Sequence, residues 1–295
     1  MGSDALIYSV LIYGLVNGAV IMLTSLGFSL TFGLSGVANL AHGGIYLLSG
    51  CLAWILLNTL GLPFLPAAVI TMVLAGLLGA GVYWLVLQRV RGLALSEMIV
   101  TFTIGIGILE FLRWAGFVTY DFNLPVIIKG SLTIAGVIVD YQRLLVIGVG
   151  VLIAVLLWFF SHHTKIGLAL RGMAQDEYTA LSVGIDSDWA AALSMALGHM
   201  IVAMAAIMIL PLGLISINVG YDVLTMVLAV TILGGLESTA GLTLASLILG
   251  YATAATGMYL NPQWTQVVYL AAIVLVLALR PSGLLGKFKE LEERV

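Results

Sequence analysis

The stretch Ala38–Gly50, "ANLAHGGIYLLSG", decides how this chain must fold. It carries an amide, an imidazole and a glycine pair. Yet it lies within residues 5–88, which hold no Asp, Glu, Lys or Arg. A soluble core cannot hide that much uncharged apolar chain. A bilayer can, because about 20 apolar residues cross one as a helix. In hydrocarbon every backbone N–H and C=O must be satisfied within the protein, which leaves helices or a closed barrel. The apolar runs are continuous and do not alternate with a period of two, so helices are the reading. The expected fold is all-α, a polytopic transmembrane bundle forming a single domain over residues 1–295.

Composition agrees across the whole chain. It is 62% hydrophobic and only 8% charged, where soluble domains carry about a quarter charged residues. A net charge of −3 with no basic tract gives nucleic acid nothing to bind. Cys51 is the single cysteine, which excludes an internal disulfide and a cysteine metal cage. The amino end, "MGSDALIYSVLIYG", lacks a basic leader and a small-residue cleavage site, and is expected to be a retained first span.

Spans are expected at about residues 5–30, 45–60, 66–88, 96–118, 143–161, 189–210, 223–235, 241–257 and 265–279. That makes nine crossings, with eight as the alternative. The doubt is concentrated at residues 30–45 and 211–240, where glycines break the pattern. Transporters unwind helices at such places, against a cavity. "PLGLISINVGYD" reads as an exposed loop or a re-entrant element, with Asp222 as a helix cap. Residues 119–140 read as a loop. The six tryptophans, Trp54 included, read mostly as interfacial anchors near span ends. Arg89, Arg91, Lys165, Arg171, Arg280, Lys287, Lys289 and Arg294 share one side if nine crossings are made. The positive-inside rule then puts that side and the carboxyl end in the cytoplasm, and the amino end outside.

The polar residues are few. A histidine at position 42, in a charge-free region, needs partners for its nitrogens. Two readings stay open for it: a structural imidazole bonded to a helix carbonyl near a break, and a residue lining a solute path. Asn39 lies three residues away, and Gly43 and Gly44 permit an unwound turn. No Cys, Asp or Glu cluster surrounds His42, so no metal is expected there. Glu110 and Arg113 are spaced to pair within the fourth span. His162 and His163 leave the fifth span as interface residues, and Glu237 reads as a solvated cap at a turn.

One long polar segment remains, "SHHTKIGLALRGMAQDEYTALSVGIDSD", residues 161–188. Ala169–Val183 reads as a short helix with Leu168, Met173, Leu181 and Val183 as apolar contacts and Asp176 and Glu177 facing water. Gly184 stops it. Such a helix either docks onto a motor protein or rests on the membrane surface. No GxxxxGK[ST] loop occurs, so the chain has no nucleotide site of its own.

Three blocks carry a family resemblance: "GLSGVANLAHGGIYLLSG" (33–50), "KIGLALRGMAQDEYTALSVGI" (165–185) and "LGGLESTAGLTLASLILG" (233–250), followed by "RPSGLLGK". In these the chain resembles the LivH/LivM-type permeases of branched-chain amino acid ABC transporters, LivH-type members most closely. Asn39, Ala41, His42 and Gly43 match the first block, while Leu40 and Gly44 replace a usual aromatic and a usual acidic residue. The resemblance implies a substrate path near Asn39, His42, Gly43 and Gly44. It implies an ATPase-coupling segment, 164–187, using Arg171, Ala174, Gln175, Asp176, Glu177, Ala180 and Gly184. It implies packing or hinge roles for Gly234, Gly235 and Gly241. It also implies an inner-membrane complex with a second, LivM-like permease, two cytoplasmic ATPases and an external binding protein. ATP is then used by the partners, this chain binds no cofactor, and it is not an enzyme. The expected cargo is Leu, Ile or Val, with urea, short amides or other amino acids as alternatives. The rival classes are a membrane-embedded enzyme or receptor built on His42 and Glu110, and a secondary transporter using Glu110 as its ion-coupling carboxylate.

Overall fold

The computed structural model describes residues 3–36, 38–117, 122–213, 215–235 and 238–286. Among these, eight helices are long and apolar enough to cross a bilayer. They are α1 (Ser3–Ser35), α3 (Phe64–Leu85), α4 (Ala94–Trp114), α5 (Tyr141–His163), α8 (Ser187–Ile209), α9 (Ile217–Gly234), α10 (Thr239–Tyr259) and α11 (Thr265–Leu279). A shorter helix, α2 (His42–Trp54), continues as one π turn, Ile55–Thr59. Two small helices, α6 (Lys165–Gln175) and α7 (Glu177–Ser182), join α5 to α8.

The choice between eight and nine crossings is resolved by how α2 sits. α1 runs away from the end of the bundle that holds the 131–140 segment, where Tyr13 Oη donates to the Ile138 carbonyl at 2.7 Å. It runs toward the end that holds α6, against which it packs. The chain then reverses inside the bundle, since Ala38, Asn39, Ala41 and His42 are all buried. From there α2 returns to the starting end, where Trp54 meets Phe122 edge-on at 4.8 Å. The chain therefore passes along the bundle nine times, eight times as one of the long helices and once as an unwound stretch followed by α2 and its π turn. Gly36, at φ +70°, turns the chain out of α1.

The core lies where α1, α2, α8, α9 and α10 meet. α8 is the most enclosed span, while α5 and α11 present most of their length outward. Exposed Val151, Leu152, Val155, Leu270, Val274 and Leu275 mark those outer faces. For a chain in lipid, such residues need no protein cover.

Several expectations change. The 119–140 loop contains a β-hairpin, β1 (Ser131–Ile134) paired antiparallel with β2 (Val137–Asp140). Ala135 and Gly136 take φ values of +50° and +82°, the tight turn that joins two strands directly. Part of the expected loop is structured: Leu210–Leu212 is a 3-10 turn and α9 begins at Ile217, with Leu210, Ile215 and Ile217 buried and Gly213 exposed. Asp222 is inside α9 and caps nothing; it accepts from Gln266 Nε2 at 2.7 Å. Trp54, at the end of α2, meets Phe117 and Phe122 edge-on. The helix expected over Ala169–Val183 is two helices. Asp176 breaks it in an extended conformation (φ −154°, ψ 104°), and its carboxylate accepts from Thr179 N at 3.1 Å to start α7. Glu237 lies outside the described residues.

Candidate functional site

The unwound stretch between α1 and α2 leaves backbone groups that a helix would have satisfied; Asn39 and Thr101 take them up, and His42 and His199 brace the stretch from α2 and α8. Asn39 Oδ1 accepts from Ala41 N at 3.2 Å. From α4, Thr101 Oγ1 accepts from Leu40 N at 3.2 Å and lies 3.2 Å from the Ala38 carbonyl. From α2, His42 Nε2 donates to the Thr24 carbonyl on α1 at 3.0 Å, with Phe28 against its ring. From α8, His199 Nε2 lies 3.4 Å from Asn39 Nδ2. His199 Nδ1 sits 2.6 Å from the Met195 carbonyl. That nitrogen holds the ring proton, so Nε2 is the acceptor for the Asn39 amide.

Four glycines set the packing around this break. A Cβ on Gly43 would stand 2.0 Å from the Gly220 carbonyl oxygen of α9. One on Gly44 would stand 2.7 Å from the Gly105 carbonyl oxygen of α4. The start of α2 therefore touches two helices backbone to backbone, which small residues alone allow. Gly43, Gly44, Gly105 and Gly220 open, with Leu40, Phe102 and Tyr221, onto a cleft of about 10 Å³. That is room for one water at most. Asn39 and His42 stand behind the cleft, each only 2% exposed. The expected path residues are thus brought together, with the glycines at the opening and the two polar side chains supporting them.

At the opposite end, Thr164 caps α6 by accepting from Gly167 N at 3.0 Å. Leu170 and Met173 turn inward. Ile166, Leu168, Leu181, Val183 and Trp189 stay exposed, so Leu168, Leu181 and Val183 present their apolar surface outward. Beside them an apolar groove of about 270 Å³ runs between α6 and the start of α8, flanked by Lys165 and Asp186. Arg171 and Ala174 are half-buried, Gln175 and Asp176 are exposed, and Ala180 is buried. Gly184 follows α7 at φ +86°. The Glu177 side chain lies outside the described set.

The third block forms a tight crossing. A Cβ on Gly241 would stand 2.0 Å from the Gly234 carbonyl oxygen, and one on Gly283 would stand 2.6 Å from Gly235 N. Gly235 itself has φ +99°. Leu284 N donates to the Leu233 carbonyl at 2.8 Å, which ties residues 282–286 to the end of α9.

Sequence reasoning missed three participants. His199 is a lone imidazole in the uncharged apolar run 189–210, the same signal that drew attention to His42. Thr101 carried none, because threonines in apolar helices usually bond their own backbone. The third is a network in which Tyr83 Oη donates to Asp188 Oδ1 at 2.6 Å and Arg91 pairs with the same carboxylate at 3.0 Å. It fastens the end of α3 to the start of α8. Glu110 and Arg113 do pair, at 3.0 Å, and both are about half exposed.

The sequence pattern of the family described as "Branched-chain amino acid transport system / permease component" matches residues 10–277. The chain belongs to this family. All three blocks that carry the resemblance fall within the matched residues. Among relatives of this branched-chain permease family, the chain is 28% identical over 291 residues to the high-affinity branched-chain amino acid transport system permease protein BraD of Pseudomonas aeruginosa, covering 94% of this chain and 95% of the relative. It is 27% identical over 290 residues to the LivH permease proteins of Salmonella typhimurium and Escherichia coli K12, covering 93% of this chain and 94% of each. Its fold is similar to that of a solved chain, "PsaBC from Streptococcus pneumoniae in complex with Fab", with a TM-score of 0.51, 15% identity and 92% of both chains covered. At that identity the likeness is one of fold alone. The protein is a multi-pass, permease-type membrane protein related to the branched-chain amino acid ABC transport family.

Proposed function

We propose that the chain is a single permease domain that serves as the membrane subunit of an ABC importer for Leu, Ile and Val or similar small polar solutes. The observation that carries this reading is the α6–α7 pair, 164–187. It exposes an apolar face at one end of the bundle and runs directly into α8, the most enclosed span. A handle of that kind, on a chain without a nucleotide site, receives mechanical work from outside. Two cytoplasmic ATPases bind this segment, with Arg171, Ala174, Gln175, Asp176, Glu177, Ala180 and Gly184 shaping it. A second, LivM-like permease and an external binding protein complete the complex. The chain performs no covalent step and binds no cofactor.

The path runs past the glycine cleft. Gly43 and Gly44 face the solute, and Asn39 and His42 hold the backbone that presents them. With about 10 Å³ available, the cleft is shut in this conformation, and transport requires helices to separate there. The names of the relatives support branched-chain cargo. Urea and short amides compete as cargo, because Leu40 and Gly44 depart from the family's aromatic and acidic residues.

With nine passes, the start of α1 and the end of α11 lie on opposite faces. Arg89, Arg91, Lys165, Arg171 and Arg280 gather at the α6 end, which we place in the cytoplasm. Cysteines introduced at Gln175 and Lys129 test this in intact cells. A membrane-impermeant thiol reagent labels position 129 and not 175, and the reverse result overturns the orientation. The function is tested by reconstituting the chain with its partner permease, ATPases and binding protein in proteoliposomes. ATP-dependent accumulation of labelled leucine, displaced by isoleucine and valine and not by urea, is the expected result. Accumulation driven by an ion gradient without ATPases overturns the proposal.

A further inference from the structure

The Asn39–His199 contact joins α8 to the unwound stretch ahead of α2. His199 is the twelfth residue beyond Ser187, where α8 begins. At 1.5 Å per residue it lies about 18 Å along a straight helix. Asp186 caps the start of that helix, accepting from Asp188 N at 2.9 Å and Trp189 N at 3.1 Å, so α8 is firmly started at the 164–187 segment. One residue before His199, Gly198 meets α1 backbone to backbone. A Cβ there would stand 2.8 Å from the Gly27 carbonyl oxygen. The imidazole also presses on α3, where a Cβ on Gly79 would stand 2.7 Å from its Nδ1. The ring is thus fixed on α8. Its free nitrogen is offered to Asn39, and Asn39 sits four residues before Gly43 in the wall of the cleft. On the far side of the break, Thr101 of α4 holds Leu40.

We propose that Asn39 and His199 form a positioning latch through which movement of α8 is delivered to the break and so to the glycine cleft. A shift of α8 along its axis draws the Asn39 amide with it, while Thr101 holds Leu40 to α4. The stretch Ala38–Ala41 is non-helical backbone between α1 and α2, and it is buried at Ala38, Asn39 and Ala41. It has soft dihedrals that absorb the displacement, whereas the packed helices on either side move as rigid bodies. Gly43 and Gly44 are then levered against Gly220 and Gly105. This rests on the importer reading above and names the residue pair that couples its two halves.

The test uses the complete reconstituted transporter with labelled leucine, and its readout is leucine accumulated per ATP hydrolysed. In His199→Ala and in Asn39→Ala this ratio is expected to fall about tenfold, the scale set by one lost buried hydrogen bond, with subunit stoichiometry and ATP hydrolysis retained. His199→Gln keeps an acceptor for the Asn39 amide and is expected to recover most of the ratio. The double variant should be no worse than either single one, as required of two residues acting as a unit. An unchanged ratio in an assembled His199→Ala transporter overturns the latch, as do additive effects in the double variant. Should His199→Ala fail to assemble, Asn39→Ala decides the matter by the same ratio, because it leaves the packing of His199 against α3 intact. A wild-type complex that hydrolyses ATP without accumulating leucine overturns the importer reading itself. A wild type that transports beside alanine variants with the same ratio overturns the latch alone.

Discussion

The middle of the bundle and its α6 end use the same kinds of polar residue under opposite conditions. In the middle, Asn39, His42, Thr101 and His199 are at most 2% exposed, and each serves a main-chain group or another side chain that does. At the α6 end, Thr164, Asp176 and Asp186 cap α6, α7 and α8 where water is at hand. A capping bond lost to water is replaced by water. A bond lost beside the break has no replacement, so the buried group carries its full desolvation cost. The glycines divide in the same way. Gly43, Gly44, Gly105 and Gly220 admit neighbouring backbone, whereas Gly184 serves a turn with nothing within 4 Å of the position its Cβ would take.

The sharpest way to break that comparison is Gly43→Val. The side chain would be driven into the Gly220 carbonyl, beyond the ~1–3 kcal/mol of ordinary overpacking. No monodisperse protein is expected in size-exclusion chromatography from detergent. Gly107→Val, in open space on α4, should elute like the wild type. A normal profile for Gly43→Val would remove the tight crossing from the account. Next is Thr101→Val, which removes the hydroxyl that bonds both Leu40 N and the Ala38 carbonyl and leaves Leu40 N only its 3.1 Å contact to the Ala38 carbonyl. A loss of about 1–3 kcal/mol is expected in denaturant titration, against little change for Thr103→Val, whose hydroxyl is exposed. Equal effects would mean that the break does not depend on its polar contacts.

At the α6 end the effects shrink. Asp176→Ala removes the start signal of α7 and should cost about 1 kcal/mol. It should be seen as faster amide exchange over residues 177–182, with the global unfolding midpoint held. A shifted midpoint would show that α7 folds as one unit with the bundle. Glu110→Gln should have the smallest effect, under about 0.5 kcal/mol, because exposed ion pairs contribute little. Leucine uptake abolished by Glu110→Gln, with folding intact, would restore Glu110 as an ion-coupling carboxylate.

The charge-free run 5–88 and the continuous apolar segments were enough to read an all-α membrane bundle, the position of most spans and a break within residues 30–45. Hydropathy acts on each segment alone, because a helix must satisfy lipid whatever its neighbours are. His42 was legible as a buried polar group in need of a partner for the same reason. Which partner it found was not. The Thr24 carbonyl, the Thr101 hydroxyl and the His199 ring are 18, 61 and 160 residues from the groups they meet. No local pattern encodes such pairings. The Asp176 break was locally encoded yet masked by the amphipathic pattern around it, since one capping carboxylate outweighs helix propensity only when the chain beyond it has somewhere to pack. The sequence by itself determined that this chain lives in a bilayer and where its helices run. Only the tertiary structure decided that the unwound backbone sits at the centre, because holding it in a dry interior takes Asn39 of the stretch itself together with side chains from α2, α4 and α8.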